Sequence, residues 1–404
     1  MNGLGNSPRT VAHVVWSVGP LSAGLGGVAA NLARYQRCPA WSSQIWCLDD
    51  DRAADWSRDL YSMPSGMLQQ FAALGPATWA FSPAMERAAR SDAGHDVAVL
   101  HQHGIWTGFS RATRIWRNRN NRPTVIAAHG ALDAWPLRRS NWKKQIALVA
   151  YERKNLHRAS CLHALSALEY CNYRDFGLRN PVAVIPNGIS QEWIEAAADP
   201  EAFKNRLGIS RDSKVMLFLS RITPKKGLPM LIEAAANLRA ELRDWTVVIA
   251  GVDELDHERE VRSMIERLGL ADRFVFAGPV YGQDKRDAYS AADLFVLPSH
   301  SEGAPVVVLE ALGAGVPVLT TTASPWEEIQ SAGCGWRVDP SMDSIGAALS
   351  DALRRTRAEL RRLGEAGRNL MRQRYTWQVI APRTLQLYDW LLGQAARPQF
   401  VYEG

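Results

Sequence analysis

No stretch of the 404-residue chain approaches the roughly 20 uninterrupted apolar residues that a membrane-spanning helix needs. The opening segment, MNGLGNSPRT, lacks the apolar core of a secretory signal. The cytoplasm is therefore the expected compartment. The five cysteines (Cys38, Cys47, Cys161, Cys171, Cys334) are odd in number and include no CxxC pair. That spacing points away from a zinc site or a disulfide framework and toward buried reduced thiols. Low-complexity segments are also lacking.

A chain of this length exceeds one hydrophobic core, and two domains are expected. The net charge of +6 and pI near 9.1 favour anionic partners. Composition alone leaves nucleic acid, a phosphorylated small molecule and an anionic membrane surface all open. Nine of the 15 tryptophans precede residue 150. Core packing is their expected role, with sugar stacking and membrane-interface anchoring as alternatives.

Short apolar, β-branched runs alternate with longer amphipathic ones, the pattern of parallel strands joined by crossover helices. In the first half the strands are read at 10–18, 43–48, 97–103, 124–130, 161–166 and 182–187; in the second, at 215–220, 245–251, 274–280, 294–299, 317–321 and 335–339. Two similar open sheets follow, with an Asn-Gly turn and a polar stretch after residue 186 as the connection. The domains are placed at 1–190 and 191–375, with a helical segment 376–404 that packs back toward the first domain. Pro382 is expected to kink or interrupt the final helix. Ligands of open α/β sheets bind beyond the carboxyl ends of the strands, so two such sheets facing one another would frame a cleft.

The segment PSHSEGAPVVVLEALGAGVPVLTT (298–321) follows a strand and enters a helix. With Val306 at the helix start, first-turn N–H groups and the helix dipole would stabilise phosphate oxygens. Glu302 and Glu310 are separated by at most roughly 12 Å of helical rise, a span that suits two sugars flanking a diphosphate. A carboxylate accepts hydrogen bonds from hydroxyls, so Glu310 is assigned to the ribose and Glu302 to a transferred sugar. Two glutamates so spaced are common on solvated helix faces; here the window is otherwise Gly, Ala, Pro and Val. In LFLSRITPKKGLPMLIEAAANL (217–238), Arg221, Lys225 and Lys226 surround a proline turn at another strand-to-helix junction. Arg221 and Lys226 there are suited to stabilise a leaving phosphate, against the alternative of a solvated basic turn.

Together these segments resemble glycosyltransferase family 4, the retaining GT-B enzymes, in order and spacing. The likeness continues through PNGI (186–189), residues 250–260, 269–299 and 325–338. The first half resembles family members that build bacterial exopolysaccharide and lipopolysaccharide. The resemblance implies an α/β GT-B fold, two Rossmann-like domains with parallel sheets facing across a deep cleft. It implies that His129, in HGALDAW, lies beside the transferred sugar, and that Gly26 and Gly27 form a glycine-rich loop approached by donor phosphate or acceptor. Donor-base contacts are implied around Pro279 and Val280, and donor contacts at Gly303, Ala304, Pro305 and Val306. Many relatives carry Gly-Phe-Gly after the first glutamate, where this chain has Gly303-Ala304-Pro305. Pro305 has no N–H for phosphate but suits a first helical turn.

Asp49, Asp50 and Asp51 imitate a metal-binding acidic motif but are read as a solvated loop, and no metal or other cofactor is expected. The glycines at 24–27 miss the GxGxxG spacing of a dinucleotide-binding turn. His101 and His103 share one strand face and are read as a cleft-lining polar patch rather than a metal site. For the mechanism, a covalent intermediate would need a nucleophile, for which Asp133 is the nearest candidate. The resemblance implies instead same-face substitution, with the leaving phosphate taking the acceptor proton. The expected partners are a nucleotide-sugar donor, UDP- or GDP-linked, and a glycan acceptor, with no nucleic acid. The basic and aromatic segments 109–123 and 134–144 point to peripheral contact with an anionic membrane and a lipid-linked acceptor, with a fully solvated surface as the equal alternative. A non-catalytic nucleotide-sugar-binding module and a sugar-nucleotide epimerase are the competing function classes.

Overall fold

The computed structural model of the chain describes residues 8–19, 23–50, 55, 61–64, 66–76, 79–133 and 151–404. It divides into two units: Met1–Gly188 with Trp377–Gly404, and Ile189–Thr376.

In the first unit, β1 (Arg9–Val14), β2 (Trp41–Leu48), β3 (Leu68–Phe71), β4 (Val97–His103), β5 (Thr124–Ala127), β6 (Cys161–Ala164), β7 (Val182–Val184) and β14 (Val401–Tyr402) form one sheet in the order β14-β7-β6-β5-β4-β1-β2-β3. All neighbours are parallel except β14 against β7. Residues such as Val97, Val99, Leu100, Val125 and Ile126 are fully buried, as strands covered on both faces require. The second unit holds β8 (Lys214–Leu219), β9 (Trp245–Ala250), β10 (Phe274–Gly278), β11 (Leu294–Leu297), β12 (Val318–Thr321) and β13 (Gly335–Val338) in the order β10-β9-β8-β11-β12-β13, all parallel.

Each of the twelve runs read as a strand contains one, but several end early. The run 10–18 stops pairing as a strand at Val14, although Val15 and Val18 are fully buried. Apolar character there serves a loop that turns into the core. β3 and β14 are additions: LQQF has no alternation of apolar and polar residues, and β14 has only two residues.

Three local expectations are corrected. Of the kink or interruption expected at Pro382, the interruption does not occur, and the helix Trp377–Leu391 continues through it. Burial of Ile380, Ala381, Thr384, Leu387 and Tyr388 on one side outweighs the lost hydrogen bond. Cys38 and Cys171 are exposed, whereas Cys47, Cys161 and Cys334 are buried; none of the five forms a disulfide. The basic, aromatic helix Phe109–Asn120 buries Phe109, Trp116 and Arg117. The Arg117 guanidinium donates to Thr124 Oγ1 at 3.1 Å and Asn155 Oδ1 at 2.7 Å, and burial lowers its pKa to about 10. These residues stabilise the core, so this helix does not offer a wholly basic-aromatic surface. Segment 134–144, paired with it in the membrane expectation, lies outside the described residues. Among the described residues no helix is long and apolar enough to cross a membrane.

Candidate functional site

In the second unit the chain enters the sheet at β8, adds β9 and β10 on one side, then reverses to add β11, β12 and β13 on the other. The crevice beyond β8 and β11 is thus the topological switch point, where open α/β sheets place ligands. Both sequence motifs converge there. After β8, residues Pro224–Lys226 make one 3-10 turn ending at Gly227, whose φ is 72°. A Cβ at Gly227 would lie 2.0 Å from the Pro298 carbonyl oxygen, so only glycine lets this turn approach the end of β11. The His300 N–H donates to the Lys225 carbonyl at 2.9 Å and joins the two loops.

Lys226 is thereby turned inward, with Nζ 2.6 Å from Glu302 Oε1. Ser299 Oγ donates to the same oxygen at 2.6 Å. The Glu302 N–H reaches the Ala323 carbonyl at 2.9 Å, tying the loop to the end of β12. Four residues on, the helix Val306–Gly313 begins at Val306 with Pro305 as N-cap and no side-chain cap. Its first-turn N–H groups form a positive end beside the pair. Glu310 sits on this helix, with Oε1 2.6 Å from Lys285 Nζ and Oε2 accepting from Tyr289 OH at 3.0 Å. Lys285, Tyr289 and Ser299 carried no sequence signal of their own.

The structure therefore brings Lys226 together with Glu302, and gives Glu310 a separate pair of partners. Arg221 joins neither set: it is exposed and bonded to Glu254 at 2.8 and 3.1 Å. Gly303 and Ala304 are half-buried, Pro305 is buried and Val306 half-buried along the same loop. At the end of β10, Pro279 is exposed while Val280 is buried, so a ligand there meets the backbone more readily than the valine side chain.

In the first unit, His129 follows β5 with φ of 52°, next to Gly130 at 75°. The turn is held from the helix Ala167–Asp175: Glu169 Oε1 accepts from the Gly130 N–H at 2.7 Å, and Tyr173 OH accepts from the Ala128 N–H at 3.0 Å. Burial pushes the Glu169 carboxyl up to about 7 against the pull of its backbone donors. Asp133 is buried and accepts from Asn172 at 2.8 Å. The expected loop is corrected: Gly26 and Gly27 lie within the helix Ala23–Tyr35. A Cβ at Gly26 would come within 2.5 Å of the Ser17 carbonyl, so its smallness lets the helix pack on the chain leaving β1. Asp49 is exposed, Asp50 accepts from Ser17 Oγ at 2.7 Å, and Asp51 lies outside the described residues.

His101 and His103 are corrected as well. Both are fully buried in a pile with His13 of β1 and His163 of β6. The register pairs His13 with His101 and sets His103, Ala127 and His163 in one row. The small Ala127 leaves room for His163 Nδ1 to come within 3.3 Å of His101 Nε2. Burial lowers His13 and His163 to about 4 and His129 to about 3, with His101 and His103 also held well below the ordinary value. All five rings are neutral at pH 7.

Comparison with known proteins adds two family matches, one per unit. Residues 23–188 match the "Glycosyl transferase 4-like domain" and residues 199–370 match "Glycosyl transferases group 1". Among curated relatives, a D-inositol 3-phosphate glycosyltransferase of Geodermatophilus obscurus is 36% identical over 143 residues, 34% of this chain and 32% of the relative. The lipopolysaccharide core biosynthesis mannosyltransferase LpsB of Rhizobium meliloti is 31% identical over 156 residues, 38% of this chain and 44% of the relative. The chain thus spans about a third to a half of the length of the curated relatives it matches. Among solved structures, sucrose-phosphate synthase from Thermosynechococcus elongatus superposes with a TM-score of 0.76 at 19% identity, over 96% of this chain and 100% of the other. HepE of Anabaena in complex with UDP-glucose gives 0.73 at 19%, over 94% and 98%. At such identities the likeness shows the fold.

Proposed function

Because the chain belongs to the glycosyltransferases, with a GT-B fold of two Rossmann-like units, we propose that it transfers a hexosyl residue from a nucleotide-diphosphate sugar to a glycan acceptor with retention of configuration. The observation that carries this reading is the buried Lys226–Glu302 pair at 2.6 Å beside the uncapped helix start at Val306. A lysine ammonium has three donors. With one on Glu302, two remain for the oxygens of a diphosphate whose charge grows as the sugar departs.

In this reading the helix dipole and Arg221 add positive potential, which supports departure of the diphosphate without a metal. Glu302 orients the transferred sugar and Glu310 the ribose, with Lys285 and Tyr289 holding Glu310. The nucleotide base stacks along Pro279 and Val280, and His129 meets the transferred sugar. Asp133 is already engaged by Asn172, which favours same-face substitution over a covalent intermediate. LpsB supports an acceptor in surface polysaccharide synthesis, and HepE supports a UDP-linked donor. A lipid-linked acceptor and peripheral contact with an anionic membrane on its cytoplasmic face complete the proposal.

The test is a panel of UDP- and GDP-sugars, with binding read by calorimetry in the presence and absence of EDTA and the product anomer read by NMR. Near-normal transfer by both Lys226→Ala and Glu310→Ala would overturn the site. An inverted product would overturn the mechanism.

A further inference from the structure

The histidine pile in the first unit has a single hydrogen-bonding order, which can be worked out from two fixed ends. Thr384 Oγ1 donates its hydrogen to the Ala381 carbonyl at 2.7 Å, so it can only accept from Gln36 Nε2, 2.6 Å away. This orients the Gln36 amide and turns Oε1 toward His13 Nε2 at 2.7 Å. His13 therefore carries its hydrogen on Nε2 and accepts at Nδ1 from His103 Nε2, at 2.9 Å. His103 in turn accepts at Nδ1 from His129 Nε2, at 3.1 Å.

The second end is the Ile185 carbonyl, 2.7 Å from His163 Nε2. It forces a hydrogen onto that nitrogen and leaves His163 Nδ1 to accept from His101 Nε2. His101 Nδ1 then accepts from Tyr388 OH at 2.7 Å. The Tyr388 oxygen is left to accept from Gln36 Nε2 at 3.1 Å. Both ends thus demand the same orientation of Gln36, and every ring is a neutral Nε2–H tautomer with its hydrogen placed.

We propose that Gln36, His13 and His103 are positioning residues that hold His129 in the Nε2–H form, so that its Nδ1 presents only a lone pair and selects a sugar hydroxyl. The choice of a sugar rests on the functional reading above. His129 Nδ1 has no hydrogen-bond partner among the described residues. A neutral acceptor there takes a hydroxyl hydrogen and disfavours a carbonyl or carboxylate oxygen. A flipped Gln36 amide would reverse the whole chain and turn His129 Nδ1 into a donor.

A divalent ion is the competing occupant, because one nitrogen each from His13, His101 and His103 lie within 4.8 Å of one another. The hydrogen order disfavours it. Those rings already use both nitrogens on neighbours, and among the described residues no carboxylate joins them to balance a buried double charge.

The experiment is a two-bond proton–nitrogen correlation spectrum of the full chain labelled with ring-15N histidine, at pH 7, with and without stoichiometric zinc chloride. Of the nine histidines, the five of the pile are expected as neutral Nε2–H rings unchanged by zinc. A His129 ring with its hydrogen on Nδ1, a charged His129, or a zinc-induced shift of His13, His101 and His103 overturns the proposal. Gln36→Leu should mix the His129 tautomers. Gln36→Glu, protonated in this burial, should keep the order by donating to Thr384 and accepting from His13. In the parent protein, one member of a monodeoxy nucleotide-sugar panel should bind roughly tenfold more weakly than its parent sugar, about the effect of one hydrogen bond. Gln36→Leu should lose that discrimination while Gln36→Glu retains it; equal discrimination in all three proteins overturns the selection. If Gln36→Leu does not fold, the parent and Gln36→Glu spectra decide the order. If no nucleotide sugar binds at all, the functional reading falls, while the spectrum still reports on the hydrogen order.

Discussion

Lys226 and Glu302 meet through Nζ and Oε1 at 2.6 Å with side chains only 9% and 7% exposed, and removal of either leaves a buried charge facing its absent partner. Lys226→Met and Glu302→Leu should each lose about 3 kcal/mol of stability. The double replacement Lys226→Met with Glu302→Leu should recover most of that loss while transfer stays abolished. Urea unfolding and a transfer assay on the three variants form the cycle; additive stability losses would show that the pair is uncoupled.

Arg221 presents the opposite case. Its pair with Glu254 is 62% and 40% exposed, so Arg221→Ala should change stability by less than about 0.5 kcal/mol. Because the proposed role is to stabilise charge at the leaving phosphate, kcat should drop by roughly a hundredfold. An unchanged kcat would remove Arg221 from the reaction.

Glu310 is held by Lys285 at 2.6 Å and Tyr289 at 3.0 Å. Glu310→Gln should raise the donor Kd roughly tenfold with a small change in Tm, since it keeps the shape but weakens a charge-assisted hydrogen bond. Calorimetry with the nucleoside diphosphate alone checks this, because the ribose is present without the transferred sugar. An unaltered Kd would detach Glu310 from the ribose.

Acid should weaken the first unit selectively. His13 and His163 are lowered to about 4 and His129 to about 3, all from 6.5 and all by burial first. Their stability contribution is complete above pH 6.5, where the unfolded rings are also neutral. It is lost as pH falls toward 4, because only the unfolded rings take up protons. For His13 alone the full effect is on the order of 3 kcal/mol. Glu152 and Glu169, raised from 4.5 to about 7 by burial, act in the reverse sense, and their contribution is lost as pH rises through 7. Five depressed imidazoles outweigh two carboxyls, so the calorimetric transition of the first unit should move down between pH 6.5 and 4. A transition that rises or stays constant over this window would contradict the buried neutral pile.

Two glycines of one helix should respond in opposite directions. Gly26→Ala would drive a Cβ to within 2.5 Å of the Ser17 carbonyl and 2.8 Å of Val18 Cα, a clash expected to cost about 1–3 kcal/mol. At Gly24 nothing lies within 4 Å, and Gly24→Ala should gain about 0.5–1 kcal/mol from helix propensity. Thermal unfolding of the two variants reads both signs.

The second unit was the more legible half because its chemistry is local. The strand end, the turn and the helix start around Glu302 and Lys226 are each contiguous in sequence, and sheet topology only had to bring two such segments side by side. Lys285 and Tyr289 carry no local signal because their link to Glu310 comes from packing of a neighbouring helix. In the first unit, Gly26 and Gly27 read as a loop in the sequence, since glycine marks both a turn and a close helix contact and spacing does not separate the two. His101 and His103 were visible as a same-face pair. His13 and His163 are single residues in other strands, and only the register across β1, β4, β5 and β6 assembles the pile. β14 is too short for any periodicity, and it exists because β7 offers it an edge.

The first unit joins two separated stretches of the chain, since Gln36 reaches Thr384 and Tyr388, and Arg9 reaches Asp389 at 2.9 Å. The second is one uninterrupted stretch. During synthesis, therefore, residues 189–376 can complete their structure first, while the earlier stretch waits for residues 377–404 to be made before its histidines are roofed over. The chain is in effect one domain inserted into another. A fragment comprising the second unit alone is accordingly a sound object to produce, whereas a fragment ending at Gly188 leaves its own interior open.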